Sequence, residues 1–278
     1  MSDNDPGKFE YYHYTPSLVG AVIFAACFFL SSGWHIIQLT RTKTWYFIPL
    51  VIGALMEAVG YVARALSHKD RYSLPPYITQ ALLLLVAPAL YAASIYMILG
   101  RLIATIEAEH HSMIRVNWLT KIFVAGDVLS FLMQSTGGGM MAKDKDSAKM
   151  GEHIVLGGLF VQILFFGFFM LATIIFHLRL RKNPTQASQI GTVWRTLLMA
   201  LYIASLFIMV RSAFRVIEYI QGRDGYLMQR EVWLYIFDAV LMFSVTVLFN
   251  IVHPSIAVPG RKGKGTEDGY ALRGGNLS

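Results

Sequence analysis

Seven stretches of mostly apolar residues recur along the chain, separated by short polar connections. They cover residues 17–39, 45–66, 77–103, 118–136, 153–178, 196–220 and 231–252. A bilayer core about 30 Å thick needs roughly 20 mostly apolar residues per helix, and the stretches meet that length. The first stretch lacks a basic leader and a small-residue cleavage site, so it does not have the pattern of a signal peptide. The pattern predicts an all-α integral membrane protein, a seven-transmembrane-helix bundle.

Lysine and arginine are unevenly shared between the two sets of connections. Placing the N-terminus outside assigns 13 of the 24 to the inner side and 8 to the outer side, and leaves three within the stretches. Cytoplasmic loops of membrane proteins carry the excess of basic residues. The asymmetry predicts the N-terminus outside and the C-terminus cytoplasmic. We therefore divide the chain into an extracellular N-terminal segment (1–14), a seven-helix membrane domain (15–254) and a disordered basic cytoplasmic tail (255–278).

Composition excludes the main soluble classes. Hydrophobic residues make up 55% of the chain and charged residues 15%, whereas soluble domains carry about 25% charged residues. A net charge of +7 fits the basic loops of a membrane protein, and we predict no nucleic-acid partner. The single cysteine, Cys27, lies inside an apolar stretch, so an intrachain disulfide is excluded.

Seven ionisable residues lie inside the stretches, away from the predicted inner interface. A charge at the bilayer centre costs about 2.5–3.5 kcal/mol on insertion scales, so these side chains are expected to face the bundle interior or water. Their spacing agrees, because each set shares one face of a helix. The sets are Glu57, Tyr61 and Arg64 in the second stretch; Asp127 and Gln134 in the fourth; Arg211, Arg215 and Glu218 in the sixth; and Asp238 in the seventh.

These nine residues are the predicted substrate-binding site. In the predicted orientation they lie between the membrane midplane and the outer surface, which predicts a polar cavity open to the outside. The alternative is a set of buried ion pairs that fixes helix packing and binds no ligand. Asp127 has no basic partner on its own helix, so its expected partner is Arg211, Arg215 or a ligand cation.

Other chemistries known from membrane helix bundles do not fit the sequence. Residues 231–252 contain no lysine for a retinal Schiff base. An intramembrane zinc hydrolase needs converging histidine ligands, and beyond Ser31 and His35 the required pattern is missing. The glycine-rich segments lack the spacing of a phosphate-binding loop. We predict no enzymatic activity, no cofactor and no metal, and leave haem or porphyrin binding open.

Several of these stretches resemble the fungal lipid-translocating exporter family, also called RTA-like proteins. The resemblance rests on GALMEAVGYVAR (53–64), VAPALYAASIYMILGR (86–101), KIFVAGDVLSFLMQSTGGG (121–139), LYIASLFIMVRSAFRVIEYIQGRDGY (201–226) and EVWLYIFDAVLMF (231–243). It covers residues 12–254 and includes every buried charged position. The resemblance implies a multi-pass protein of the plasma membrane or endomembranes, linked to sphingoid-base release, resistance to toxic amphiphiles, lipid asymmetry or porphyrin uptake.

The sequence thus predicts a protein that binds an amphiphilic lipid, such as a sphingoid base, and translocates or exports it. Glu57, Asp127 and Asp238 would hold an amine head group, and Arg211 and Arg215 a phosphate or hydroxyls. The alternative is a seven-helix lipid receptor or sensor that affects transport or resistance without flux. The expected partners are membrane lipids and an amphiphilic small molecule, and a homodimer is left open.

Overall fold

A computed structural model of the chain describes residues 17–68, 74–143, 145–190, 192–222, 225–227 and 230–258. All regular structure in these ranges is helical, and seven helices are long and apolar enough to cross a membrane. The predicted all-α seven-helix bundle is therefore confirmed. The predicted N-terminal segment 1–14, and the predicted tail beyond Val258, lie outside the described residues.

Six of the spanning helices are continuous α-helices. They are α1 (Leu18–Thr42), α2 (Ile48–Ser67), α3 (Leu74–Thr105), α4 (Val116–Lys143), α5 (Lys145–Lys182) and α6 (Val193–Gln221). The seventh, α7, begins as Glu231–Leu234, passes through a π-helical stretch at Tyr235–Val240 and continues as Leu241–Ile251. Short 3-10 turns lie at Trp45–Phe47, Glu109–His111 and Pro254–Ile256, and a short helix spans Gln186–Ile190.

Helices α4 and α5 extend well past the apolar stretches that predict them. The fourth stretch ends at residue 136 and the fifth begins at 153, whereas α4 continues to Lys143 and α5 starts at Lys145. The intervening segment 137–152 contains Met, Ala and Lys, which favour helix, as well as four glycines, which do not. Apolarity marks the length that crosses the bilayer, not the length of the helix.

Consecutive helices pack against each other in antiparallel order, and α7 returns to pack beside α1. Helix α3 also contacts α6, so it lies toward the middle of the bundle. We call the end where α1, α3, α5 and α7 begin the Ser17 end, and the opposite end the His253 end.

Glycine allows α2 and α3 to approach closely beside the polar residues. A Cβ added at Gly53 would lie 2.7 Å from a ring carbon of Tyr91 and 2.9 Å from the Ala87 carbonyl oxygen. Small residues at such contacts let transmembrane helices pack through their backbones. The close packing brings the Tyr91 ring of α3 onto the face of α2 that carries Glu57.

Candidate functional site

Eight of the nine predicted site residues are buried in the bundle, and Arg215 is partly buried. They do not form one site. Most of them gather between α2, α3, α6 and α7 toward the Ser17 end, while Asp127 and Gln134 lie apart, between α3, α4 and α5. The structure therefore divides the predicted site into two groups on either side of α3.

Within the first group, Arg211, Arg215, Glu218 and Asp238 form what we call the arginine cluster. Arg211 donates to one carboxylate oxygen of Asp238 through Nε, and Arg215 donates to the other through Nη2 at 3.0 Å. Arg215 also donates to Glu218 at 2.9 Å through Nη1. Two positive and two negative charges thus neutralise each other, which is how buried charges are tolerated in an apolar medium.

Arg211 is also tied to α3 at a position that a proline creates. Its Nη2 donates to the carbonyl oxygen of Leu84 at 2.7 Å. In an α-helix that carbonyl would accept from the N–H of the residue four positions later, which here is Pro88, and proline has no N–H. The arginine therefore satisfies a backbone acceptor that the sequence of α3 leaves free.

Asp238 lies within the π-helical stretch of α7 and is completely buried. A π-turn widens the helix by one residue and changes the direction of the side chains on either side, and such turns are frequent at functional sites. The stretch also carries Tyr235, which faces α1 and α2. The local geometry of α7 thus supplies both the acid of the arginine cluster and a contact to the neighbouring group of residues.

The Arg64 clamp, formed by Arg64, Glu231, Ser17 and Tyr235, lies at the Ser17 end. Arg64 donates to Glu231 through Nη2 at 2.7 Å and through Nε at 3.1 Å. The same carboxylate accepts from the Ser17 backbone N–H at 2.8 and 2.9 Å. Tyr235 donates its hydroxyl to the Ser17 carbonyl at 3.3 Å and lies under the Arg64 guanidinium. The clamp joins α1, α2 and α7 where α1 begins.

Glu57 lies beside the arginine cluster but does not join it. Its side chain is fully buried, and neither carboxylate oxygen has a hydrogen-bond partner among the described residues. The charges of Asp238, Arg211 and Arg215 act on it, and the hydroxyls of Tyr61 and Tyr91 close by are also unpartnered. The arginines are already committed to Asp238 and Glu218, so Glu57 is left as an additional acid.

In the second group, Asp127 lies near an aromatic cluster of α3, α4 and α5. We call Asp127, Tyr96, Phe123, Phe166 and Phe169 together the Asp127 pocket. Asp127 is 5% exposed, and neither of its oxygens has a hydrogen-bond partner among the described residues. The Tyr96 hydroxyl lies beside it. The Tyr96 ring packs on Phe169 at 4.5 Å and on Phe123 at 5.4 Å between centroids, and Phe166 lies at 6.1 Å. The carboxyl group of Asp127 therefore lies beside a tyrosine that belongs to a cluster of aromatic rings.

Polar side chains continue from the Asp127 pocket along the contact of α4 and α5. Ser130 donates to the Gly158 carbonyl at 2.7 Å, and Gln134 donates to the Ser130 hydroxyl at 2.6 Å and to Gln162 at 3.4 Å. A Cβ at Gly158 would meet the Gln134 side chain at 2.9 Å. Gln134 thus bonds to protein groups and helps to hold α4 on α5.

The structure excludes one of the partners considered for Asp127 and corrects the expectation of an open polar cavity for the described residues. Asp127 forms no ion pair with Arg211 or Arg215, because both arginines lie on the other side of α3 and bind Asp238. The charged residues do not line an open polar cavity either, because neighbouring helices cover them. A groove of about 590 Å³ is found instead on the outer face of α4, and its lining is almost entirely apolar: Thr120, Lys121, Val124, Ala125, Val128, Leu129 and Leu132.

Several residues that complete these groups are absent from the sequence-based site. Glu231 is the first residue of the seventh stretch, where an acid is common because it lies at the membrane surface. The sequence therefore does not indicate that Glu231 binds Arg64. Tyr91 and Tyr96 are hard to separate from the many aromatic residues that face lipid. Pro88 is the feature of the sequence that could have indicated one of these contacts. A proline inside a helix leaves the carbonyl four residues earlier without its usual N–H donor, so another donor is expected there.

The described residues contain no group of three or more His, Cys, Asp or Glu side chains placed to hold a metal ion. The intramembrane polar groups instead contain three arginines and five acids. The arginines are Arg64, Arg211 and Arg215, and the acids are Glu57, Asp127, Glu218, Glu231 and Asp238. Every arginine is paired, and the two acids in excess are the two without partners. The site is therefore a paired scaffold with two free carboxyl groups.

Fold and site together define a multi-pass membrane protein with seven spanning helices and an internal polar network. Residues 50–261 match the protein family described as RTA1 like protein, and the chain belongs to this family. No solved structure matches the chain.

Three relatives from Saccharomyces cerevisiae show how the family is represented among curated proteins. The chain is 38% identical to Protein RTA1, over 90% of this chain and 86% of that protein. It is 37% identical to Protoporphyrin uptake protein 1, over 90% of this chain and 94% of that protein. It is 25% identical to Sphingoid long-chain base transporter RSB1, over 82% of this chain and 69% of that protein. At the level of the family, the comparisons support membrane transport of lipid-like compounds.

Proposed function

We propose that this protein transports an amphiphile with a cationic amine head group, such as a sphingoid base, across or out of the bilayer, and that Asp127 binds the head group. The protein acts without enzymatic chemistry in the plasma membrane or an endomembrane. The observation that carries the proposal is the buried Asp127 carboxyl group, which has no ion-pair partner among the described residues. It lies beside Tyr96, whose ring packs on Phe123, Phe166 and Phe169. A relative named as a sphingoid long-chain base transporter supports the choice of substrate.

The chemistry of the Asp127 pocket favours an ammonium group. A carboxylate in a low-dielectric site attracts a cation strongly, and aromatic faces add a favourable interaction with ammonium groups. No arginine or lysine pairs with Asp127 among the described residues, so a ligand cation need not displace one. The pocket is thus suited to a primary or quaternary amine on an apolar tail.

The same chemistry disfavours an anionic substrate at this position. Protoporphyrin, named in one relative, carries two carboxyl groups, which Asp127 would repel when ionised. The arginines that could attract an anion are engaged with Asp238 and Glu218. Because these side chains are engaged with one another, we assign Arg211, Arg215 and Asp238 a structural role in packing α6 against α7 and α3, and not direct contact with the substrate.

The apolar groove on α4 suits the tail of such a substrate. Val124 and Val128 line it, and both are within four residues of Asp127 on the same helix. A tail in the groove would stay in contact with lipid while its head group reaches inward to Asp127. Entry from the membrane would then require only a local separation of α4 from its neighbours.

Transport is tested with purified protein in liposomes and a tail-labelled N,N,N-trimethylsphingosine. The permanent charge of this probe slows its spontaneous crossing, so protein-free liposomes give a low background. Wild-type protein should accelerate its movement between leaflets, and Asp127→Asn should reduce the rate to the background. Binding of the probe without accelerated movement would instead identify a receptor or sensor. No binding at all would overturn the proposal.

A further inference from the structure

Glu57 is the other acid without a partner, and its surroundings differ from those of Asp127. Its side chain is fully buried, and the unpartnered hydroxyls of Tyr61 and Tyr91 lie close by. The close contact of Gly53 with Tyr91 leaves no room between α2 and α3 at this level. No groove leads to Glu57 among the described residues, whereas the apolar groove on α4 lies next to Asp127 along that helix.

The charges that face Glu57 are already balanced. From α6 it faces Arg211 and Arg215, and from α7 it faces Asp238. Glu218 completes the cluster by pairing with Arg215 at 2.9 Å. Two arginines and two acids sum to zero, so an ionised Glu57 would add one uncompensated negative charge. Such a charge is costly in the bilayer interior and is neutralised where possible.

We propose that Glu57 is a proton-binding site that takes up a proton from the solution at the Ser17 end and releases it at the His253 end when the helices rearrange, and that this proton movement drives the lipid transport proposed above. The second half of this proposal rests on the proposed function. A proton is the one cation that fits a site with no free volume. Its binding converts the Glu57 carboxylate to a neutral carboxylic acid, and its release to water restores the carboxylate.

Side chains with polar groups lie between Glu57 and the Ser17 end, although hydrogen bonds do not join all of them in this conformation. Tyr61 lies one turn further along α2, and its ring stacks against that of Tyr235 at 6.2 Å. Tyr235 lies under Arg64, which binds Glu231, and the Glu231 side chain is 14% exposed. In the other direction the buried residues of α2 are apolar, namely Leu50, Val51 and Ala54. In this conformation the polar route leads from Glu57 to the Ser17 end.

Helix α3 links Glu57 to the Asp127 pocket. Tyr91 faces Glu57 and Tyr96 faces Asp127, and five residues correspond to about 7.5 Å along the helix. Pro88 lies one turn before Tyr91, and its free acceptor at Leu84 binds Arg211. A change of charge at Glu57 acts on the arginine cluster, which holds α3 at this point. A shift of α3 would move Tyr96 relative to Asp127.

The coupling is tested in proteoliposomes that contain a pH-sensitive dye in the lumen. Tail-labelled N,N,N-trimethylsphingosine is the probe, because it has no ionisable amine and so carries no proton across by itself. With wild-type protein, movement of the probe should be accompanied by a change in lumenal pH. Glu57→Gln should still exchange the probe between leaflets but should produce no pH change. The matched control Glu109→Gln changes an exposed acid and should behave as wild type.

Proton movement retained in Glu57→Gln would overturn the coupling. A second measurement covers the case in which this variant does not fold. Infrared spectra of wild-type protein at neutral pH should show the C=O stretch of a protonated carboxylic acid, and this band should shift when glutamate is ¹³C-labelled. Absence of a shifting band would mean that Glu57 is ionised and would overturn the proton site itself.

The same data separate this inference from the proposed function. If wild-type protein moves no probe, the proposed function and the coupling both fail, while the infrared band still decides whether Glu57 holds a proton. If wild-type protein moves the probe and no pH change follows, the proposed function stands and the coupling fails. If the probe moves, the pH changes and Glu57→Gln removes only the pH change, both stand.

Discussion

At the scale of single residues, the molecule distinguishes charges that have partners from charges that do not. Asp238 accepts from two arginines, and Glu231 accepts from Arg64 and the Ser17 N–H. Neither Glu57 nor Asp127 pairs with a described basic residue, and the Tyr96 hydroxyl lies beside Asp127. A buried ion pair is tolerated only when both members are present. A buried acid without a partner is instead neutralised by binding a proton or a cation. The two lone acids are therefore the positions where ligand chemistry is expected.

The sequence predicts which charged residues are buried but not how they pair. Helical spacing places Glu57, Arg64 and Asp127 on interior faces because charge is excluded from lipid. Pairing depends on the distance between helices, which a single sequence does not contain. Of the two partners considered for Asp127, an arginine of α6 is excluded in this structure because both arginines bind acids on the other side of α3, and the ligand cation is left. The assignment of all nine residues as substrate-binding is untested, and the proposed function keeps it for Asp127.

Replacing Arg211 by alanine should destabilise the protein strongly. The change leaves Asp238 with one arginine and the Leu84 carbonyl without its donor, and breaking a buried ion pair costs about 3–5 kcal/mol. Thermal unfolding in detergent measures the effect. Arg41→Ala is the matched control, because Arg41 is exposed at the end of α1 and should change the midpoint little. Equal unfolding midpoints for the two variants would show that Arg211 contributes no buried pair.

At the scale of helices, two departures from the regular α-helix shape the site. Pro88 in α3 leaves the Leu84 carbonyl free, and the π-helical stretch of α7 carries Asp238. Arg211 binds both. Apolar periodicity predicts all seven spans to within a few residues at most ends, since span length is set by the bilayer. It does not predict the π-helical stretch, which depends on contacts with other helices.

Replacing Pro88 by alanine should leave the fold intact and slow transport. Alanine supplies the N–H that bonds to the Leu84 carbonyl, and it removes a residue that disfavours the helix interior by about 3 kcal/mol. Arg211 then competes with the N–H of the new alanine for the Leu84 carbonyl, and the hydrogen bond from Arg211 to α3 is weakened. The measurements are the unfolding midpoint, expected at or above that of wild type, and the rate of probe movement in liposomes, expected to fall.

Pro75→Ala provides the control for this experiment. Pro75 lies in the first turn of α3, where the missing N–H has no helical acceptor in any case. Its replacement should change neither the midpoint nor the transport rate. Transport by Pro88→Ala at the wild-type rate would show that the bond between Arg211 and Leu84 has no role in the transport cycle.

At the scale of the whole molecule, the number of spans and the family follow from the sequence, while the direction of insertion stays a prediction. The described residues contain seven candidate spans, and an odd number of spans places the two chain termini on opposite sides of the membrane. The excess of lysine and arginine in one set of connections predicts the Ser17 end outside. The Arg64 clamp and the arginine cluster would then lie in the outer half of the bilayer, and the proton route would open to the outside.

Tags at the two termini test this orientation. In intact cells, a protease-accessible tag placed before Met1 should be cleaved, and one placed after Ser278 should be protected. Permeabilising the membrane should expose both tags and serves as the control. The reverse pattern would place the Ser17 end in the cytoplasm and would reverse the side from which Glu57 takes its proton.

Binding of a sphingoid base to the Asp127→Asn variant tests the central claim most directly. Asparagine keeps the shape of the side chain and removes its charge, so a protein whose Asp127 holds an ammonium group should lose affinity while staying folded and monodisperse. Titration calorimetry of sphingosine into purified wild-type and variant protein, both checked by size-exclusion chromatography, provides the comparison. The account predicts saturable binding to wild type and none to a well-folded Asp127→Asn. Equal affinity in the two proteins would contradict it and would remove Asp127 from the binding site.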